Sequence, residues 1–149
     1  MNRQATLRRA VLSCVVAIAI ATSAGCAEIE SVTAEPYEPA TLETPGPGRP
    51  ARVILTEEAV DRVALQTTEV KMLGKDLTVD HAAVVFDKAG KPWVFTVIGP
   101  RTYVRAAVTI KEVEDNVVIL SAGPPAGTQV ATVGAIELWG AELGIAGKH

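Results

Sequence analysis

The sequence predicts a mainly β fold, a small β-roll or barrel with one or two short helices. Short apolar runs rich in β-branched residues recur between residues 52 and 133, and turns containing Gly or Pro separate them. Val104, Ala106, Val108 and Ile110 alternate with more polar neighbours, the period of two that is typical of a half-buried strand. Residues 52–149 show no internal repeat and suffice for one domain with a modest core.

The domain is predicted to open with a strand at 52–55 and a short helix. Thr56 has the side chain of an N-cap, and Glu57 and Glu58 would place negative charge at the helix N-terminus. The predicted buried stripe of this helix consists of Ala59, Val60, Val63 and Ala64.

Further strands are expected along the rest of the domain. The predicted ranges are 66–70, 84–86, 93–98, 104–110, 117–120 and 129–132. Residues 72–78 are expected to be a connecting segment, and residues 134–139 a final short helix or turn that caps one end of the sheet.

The amino terminus, residues 1–25, is predicted to be a lipoprotein signal peptide. Arg3, Arg8 and Arg9 precede an apolar run at 11–21, and no acidic residue occurs before Glu28. This run is shorter than the ~20 apolar residues that span a bilayer, so a transmembrane helix is the weaker interpretation.

The sequence Ser23-Ala24-Gly25-Cys26 resembles a bacterial lipobox, with serine in place of the usual leucine. Cleavage before Cys26 would leave an acylated cysteine that anchors the chain to the extracytoplasmic face of the cell membrane. The alternative is an ordinary secretory signal cut near Ala24. That alternative leaves Cys26 as an odd, unpaired thiol in an exported protein, which is unfavourable because Cys14 would be removed with the signal.

Residues 26–51 are predicted to be a disordered tether that starts at the lipidated cysteine. The segment holds more than half of the 9 prolines of the chain and many glutamates, so it buries too little apolar surface to offset its ordering entropy. At ~3.1 Å per residue, an extended Pro-rich segment of this length reaches on the order of 70 Å.

Several short motifs resemble one known family. They are V-D-H-A-A-V at 79–84, G-K-P-W-V-F at 90–95, Y-V-R-A-A-V at 103–108, I-L-S-A-G-P-P-A-G-T-Q-V at 119–130 and G-A-I-E-L at 134–138. Together with the opening block at 52–70, they resemble the membrane-proximal domain of periplasmic adaptor subunits (membrane fusion proteins) of RND-type tripartite efflux systems. The similarity is greatest to the heavy-metal efflux branch. The resemblance implies a β-domain that docks on a membrane transporter or on other adaptor copies.

The chain also departs from this family. The long helical hairpin and the other domains that separate the two blocks in full-length adaptors have no counterpart, so bridging to an outer-membrane channel is not implied. Ala64 replaces a usual glycine, and Asp80 replaces a usual proline. Adaptors of the metal-efflux branch often bind metal through methionines, but this chain has only Met1 and Met72.

Charge and motifs argue against other function classes. Loss of three arginines with the signal peptide takes the net charge from −3 to −6, which disfavours nucleic acid as a partner. We find no nucleophile elbow, phosphate-binding loop, dinucleotide fingerprint or zinc motif, so neither an enzyme nor a cofactor is expected. Asp80 and His81 with Asp87, or a mobile His149, offer at most a weak metal site; a solvated histidine is the simpler interpretation.

Two functions of different classes remain. The first is a lipid-anchored accessory module that docks on a transporter or on adaptor copies. Its predicted partner-binding residues are Tyr103, Arg105, Trp139 and Glu142. The second is a stand-alone lipoprotein that binds a metal ion or a small hydrophobic ligand in the barrel mouth. Trp93 and Trp139 could each anchor an interface, but the core is the favoured place for both. A preformed apolar cavity would favour the second function, and a neighbouring transporter gene the first.

Overall fold

The computed structural model describes residues 37–145, which belong to one compact unit of the chain. Two helices, α1 (Glu57–Arg62) and α2 (Ala135–Glu142), and a 3₁₀ turn at His81–Ala83 accompany the strands. The strands are β1 (Ala40–Glu43), β2 (Arg52–Leu55), β3 (Gln66–Glu69), β4 (Lys71–Leu73), β5 (Asp76–Asp80), β6 (Val85–Phe86), β7 (Pro92–Gly99), β8 (Thr102–Ala107), β9 (Thr109–Glu114), β10 (Val117–Ala122) and β11 (Gln129–Val133).

The strands form two antiparallel sheets. The first has the order β1-β2-β8-β7-β11-β3, with β6 also paired to β7, and the second has the order β4-β5-β10-β9. The prediction of a mainly β fold with one or two short helices is therefore confirmed. The expectation of a barrel is wrong for residues 37–145, because both sheets keep open edges and neither closes on itself.

The predicted strand at 104–110 is divided between the two sheets. β8 lies in the first sheet and β9 in the second, with Val108 buried at the corner between them. The Val108 amide donates to the carbonyl of Pro92 at 3.3 Å, a contact outside the regular ladder. Its alternating pattern was identified correctly, but the pattern does not reveal that the chain bends to change sheets.

Two core clusters lie on opposite faces of the first sheet. The first fills the space beneath the helices and contains Val53, Leu55, Ala59, Val85, Phe95, Tyr103, Ala131, Ala135, Leu138 and Ala141. The second lies between the two sheets and contains Val70, Val79, Ala83, Val94, Val108, Val118, Leu120 and Val130. Val94 and Phe95 belong to different clusters because successive side chains of a strand point to opposite faces. The result is three layers, with the first sheet in the middle.

The predicted tether at 26–51 is wrong for its final part, since residues 40–43 form β1. This strand pairs antiparallel with β2 from Ala40 opposite Leu55 to Glu43 opposite Arg52, and Thr56 N donates to Pro39 O at 3.0 Å. A turn with left-handed Gly48 joins the two strands. Composition does not predict a strand here, because this segment is ordered mainly by backbone pairing with β2. Residues 26–36 lie outside the described part.

Helix α1 begins and ends as local chemistry requires. Thr56 Oγ1 accepts a hydrogen bond from Ala59 N at 3.1 Å, which confirms the predicted N-cap. The buried stripe is wrong at Ala64, which is exposed and has a left-handed φ of 49° just after the helix. Glycine favours this conformation, and Ala64 is where the adaptor motif has glycine.

The expected connector at 72–78 forms a β-hairpin instead. β4 and β5 pair from Lys71 opposite Thr78 to Leu73 opposite Asp76, and Gly74 takes a left-handed φ of 63° in the turn. Both Met72 and Leu73 are exposed, so this strand lacks the one-sided apolar alternation that identifies a strand in sequence.

Candidate functional site

Helix α2 lies over the first sheet beside α1. Gly134 takes a left-handed φ of 87° at the N-cap, and a Cβ there would lie 3.3 Å from side-chain atoms of both Leu65 and Val63. Only glycine allows the chain to leave β11 this close to the α1 region. Leu138 is fully buried in the first core and fixes the helix on the sheet. The predicted final helix is thus confirmed, and it extends to Glu142.

An open apolar groove with a volume of about 440 Å³ lies between α1, α2 and the start of β1. Leu55, Ala59 and Ala141 are buried residues that line it, and small side chains on both helices keep it open. The other lining residues are Tyr37, Pro39, Ala40, Arg62, Val63, Glu137, Gly140 and Ile145. Such a space accepts an apolar group without rearrangement of the core.

Two charged side chains, Arg62 and Glu137, line the groove. The Arg62 guanidinium lies 2.6 Å from Glu58 Oε1 and 4.6 Å from the centroid of the Tyr37 ring. Glu137 is exposed in the first turn of α2 and forms no ion pair with the residues of 37–145. Among residues 37–145, the positive charge therefore has a partner and the negative charge does not.

A second cluster centres on Arg105 of β8. Its Cζ lies 4.4 Å from the ring centroid of Trp93 and 5.0 Å from that of Trp139, so two indoles contact one guanidinium. Arg105 Nε lies 2.9 Å from Glu142 Oε1, and the two side chains are only 24% and 7% exposed. Trp93 Nε1 donates to Asp87 Oδ2 at 3.1 Å. The cluster joins α2 to the sheet.

The contact between Arg105 and Glu142 is an ion pair rather than a well-aligned hydrogen bond. Arg105 Nε and Glu142 Oε2 are buried and have no hydrogen-bond partner of suitable geometry among the described residues. Burial raises the pKa of Glu142 above its ordinary value, while the positive charge of Arg105 and the backbone N–H of Ala51 act in the opposite direction. The pair links α2 to β8, and its net contribution to stability is expected to be small because desolvation offsets the attraction between the two charges.

The structure brings three of the four predicted partner-binding residues together. Trp139 and Glu142 both contact Arg105 in the cluster just described, and all three side chains are partly or largely buried. Tyr103 is only 5% exposed and belongs to the first core, so its expected place in an exposed patch is wrong. The prediction places Tyr103 with Arg105 in an exposed patch, whereas this face of β8 lies under the helical layer. Partner binding itself stays a prediction.

Sequence reasoning did not find the groove. Its residues come from three separate stretches of the chain, 37–40, 55–63 and 137–145, and their only shared signal is small side chains on helix faces, namely Ala59, Gly140 and Ala141. Small residues on a helix face are equally typical of close packing. The groove follows from the placement of the helices, which the sequence pattern does not specify.

The remaining candidates have local structural roles or lie outside residues 37–145, as do Cys26 and His149. Asp80 Oδ1 accepts from Ala82 N at 2.8 Å and caps the turn that contains His81. The backbone N–H of Lys91, more than any other group, lowers the pKa of Asp87. Residues 37–145 hold no group of three or more His, Cys, Asp or Glu side chains placed to share a metal. No helix in this range is long and apolar enough to cross a membrane.

Comparison with known proteins gave no match to a protein-family model, a curated protein or a solved structure. The adaptor resemblance therefore rests on the sequence motifs alone.

Proposed function

We propose that this chain is a non-enzymatic lipoprotein that binds a small hydrophobic molecule on the extracytoplasmic side of the membrane to which Cys26 anchors it. The observation that carries the proposal is the open apolar groove between α1 and α2. Its volume of about 440 Å³ falls within the ~300–1,000 Å³ that is typical of small-molecule sites.

The groove suits a ligand because contacts within the protein fix its walls whether or not a ligand is bound. The Thr56 cap and the hydrogen bond of 3.1 Å from Val63 N to Ala59 O fix α1. Leu138 and the Arg105 cluster fix α2. A preformed apolar site loses little ordering entropy on binding, so less of the free energy gained by burying the ligand is offset.

Binding of a neutral apolar probe tests the proposal. We expect the mature chain carrying Cys26→Ser to bind N-phenyl-1-naphthylamine with increased fluorescence. At ~0.3 kcal/mol for each of its roughly 17 non-hydrogen atoms, the Kd would be on the order of 100 µM. Gly140→Leu places a larger side chain in the groove and should abolish binding, whereas Gly99→Leu, outside it, should not. Binding that survives Gly140→Leu, or no binding to the unsubstituted chain, contradicts the proposal.

A second candidate function, docking on a membrane transporter or on adaptor copies, is favoured by a different observation. Ile136 on α2 is 65% exposed and Leu143 at its C-cap is 44% exposed, and their spacing of seven residues puts them on one side of the helix. Such residues form an interface where they belong to a contiguous apolar patch. Ile136→Glu should then reduce crosslinking of a transporter in native membranes, with Met72→Glu on the second sheet as the matched control. Unchanged crosslinking in both variants argues against docking through α2.

A further inference from the structure

We infer that the ligand of the groove is a small amphipathic cation, with its apolar body against Leu55, Ala59 and Ala141 and its positive charge beside Glu137. This inference rests on the proposed function of the groove as a ligand site and adds the charge of the ligand. It follows from how the two charged side chains of the groove are partnered.

Arg62 is poorly suited to attract an anion. Its guanidinium already contacts the Glu58 carboxylate at 2.6 Å and stacks on Tyr37 at 4.6 Å. An incoming anion would have to compete with the carboxylate of Glu58, which lies four residues away on the same helix. The pair of Arg62 and Glu58 is nearly neutral as seen from the groove.

Glu137 has the opposite character. Its side chain lines the groove, and within residues 37–145 it has no cationic partner. The chain as a whole has a net charge of −3, so the wider field also favours a cation.

The expected preference is modest because Glu137 is exposed. A solvent-exposed ion pair changes affinity by about fivefold at most, and a like charge at the same position costs a similar factor. The ratio between a cation and an anion of the same shape is therefore expected to be on the order of tenfold. It should shrink as salt is added, because exposed charges are screened.

Three probes that share one ring system separate charge from shape: 1-naphthylmethylammonium, 1-naphthylmethanol and 1-naphthoate. Calorimetry and amide chemical shifts would be measured on the mature chain carrying Cys26→Ser at low ionic strength. We expect the ammonium to bind most tightly and the carboxylate most weakly. Glu137→Gln should bring the three affinities within about twofold of one another. Glu112→Gln, on β9 of the second sheet, is the matched control and should keep the wild-type order.

The outcomes distinguish the inference from the proposed function. If the three probes bind equally to the wild type and shift groove residues, the groove binds apolar ligands but the charge preference is refuted. Tighter binding of the carboxylate also overturns the inference, since Arg62 would then determine ligand charge. If no probe binds, the proposed function fails, and the inference fails with it.

Discussion

Replacement of Tyr103 distinguishes a core residue from a docking residue. The sequence placed this tyrosine in a partner-binding patch, whereas the structure buries its ring with Val53 and Phe95 in the first core. Removal of a buried aromatic ring costs about 3–5 kcal/mol, because transfer free energy is lost and a cavity remains. Domains of this size have about 5–15 kcal/mol of stability, so Tyr103→Ala should remove a large share of it.

Urea unfolding followed by circular dichroism measures this loss. With an m-value of roughly 1.5–2 kcal/mol/M, Tyr103→Ala should lower the midpoint by about 2 M. Ile136→Ala is the control, because that side chain is 65% exposed and its loss should move the midpoint little. An unchanged midpoint in Tyr103→Ala would refute the core assignment and indicate that the side chain is exposed.

The same residue gives a dependence on pH. Burial raises the pKa of the Tyr103 phenol above its ordinary value of 10.0, although the nearby Arg101 charge partly opposes this. A pKa that is higher in the folded state than in the unfolded state favours folding while the phenol is protonated. That contribution is complete below the unfolded pKa and is lost as pH rises through the folded pKa. Stability should fall above pH ~10 in the wild type, and less steeply in Tyr103→Phe.

Three further predictions concern other parts of the chain. A chain that starts at Arg52 lacks β1 and exposes the edge of β2, so it should melt at a lower temperature than one starting at Tyr37; equal melting temperatures would show that β1 adds nothing. Cys26→Ser should abolish metabolic labelling with a fatty-acid probe, and equal labelling would refute the lipid anchor. Gly140→Ala should raise stability by about 0.5–1 kcal/mol, measured by urea unfolding, because a Cβ there meets Ile145 Cγ1 at an ordinary 3.7 Å; a lower midpoint would indicate a clash.

Sequence patterns predicted those elements whose causes are local. The Thr56 cap, the apolar strands β7 and β10 and the final helix each depend on residues close together in the chain. The elements that were missed depend on partners elsewhere. β1 is ordered by pairing with β2, and β4 by pairing with β5, while neither has an apolar face of its own. Whether the strands form open sheets or a barrel likewise depends on their order in space, which local sequence patterns do not specify.

The candidate site was predicted less well because it depends on how layers are stacked. Arg105, Trp139 and Glu142 are predicted as surface residues, and they do come together, yet Trp139 and Glu142 lie on the side of α2 that packs over Arg105. Burial of a charged residue is not visible in sequence when its partner lies 37 residues away. The groove is harder still to predict from sequence, because its walls come from two helices and the segment at the start of β1.

The groove and the Arg105 cluster are physically linked through α2. At about 100° per residue, Glu137, Gly140 and Ala141 face the groove, while Trp139 and Glu142 lie on the opposite side of the helix against Arg105. A substitution of Arg105 would therefore change ligand binding by moving the helix, without any contact between arginine and ligand. Lost binding in an Arg105 variant is consequently no evidence for a docking surface at that residue. Only groove substitutions such as Gly140→Leu or Glu137→Gln report on direct contact.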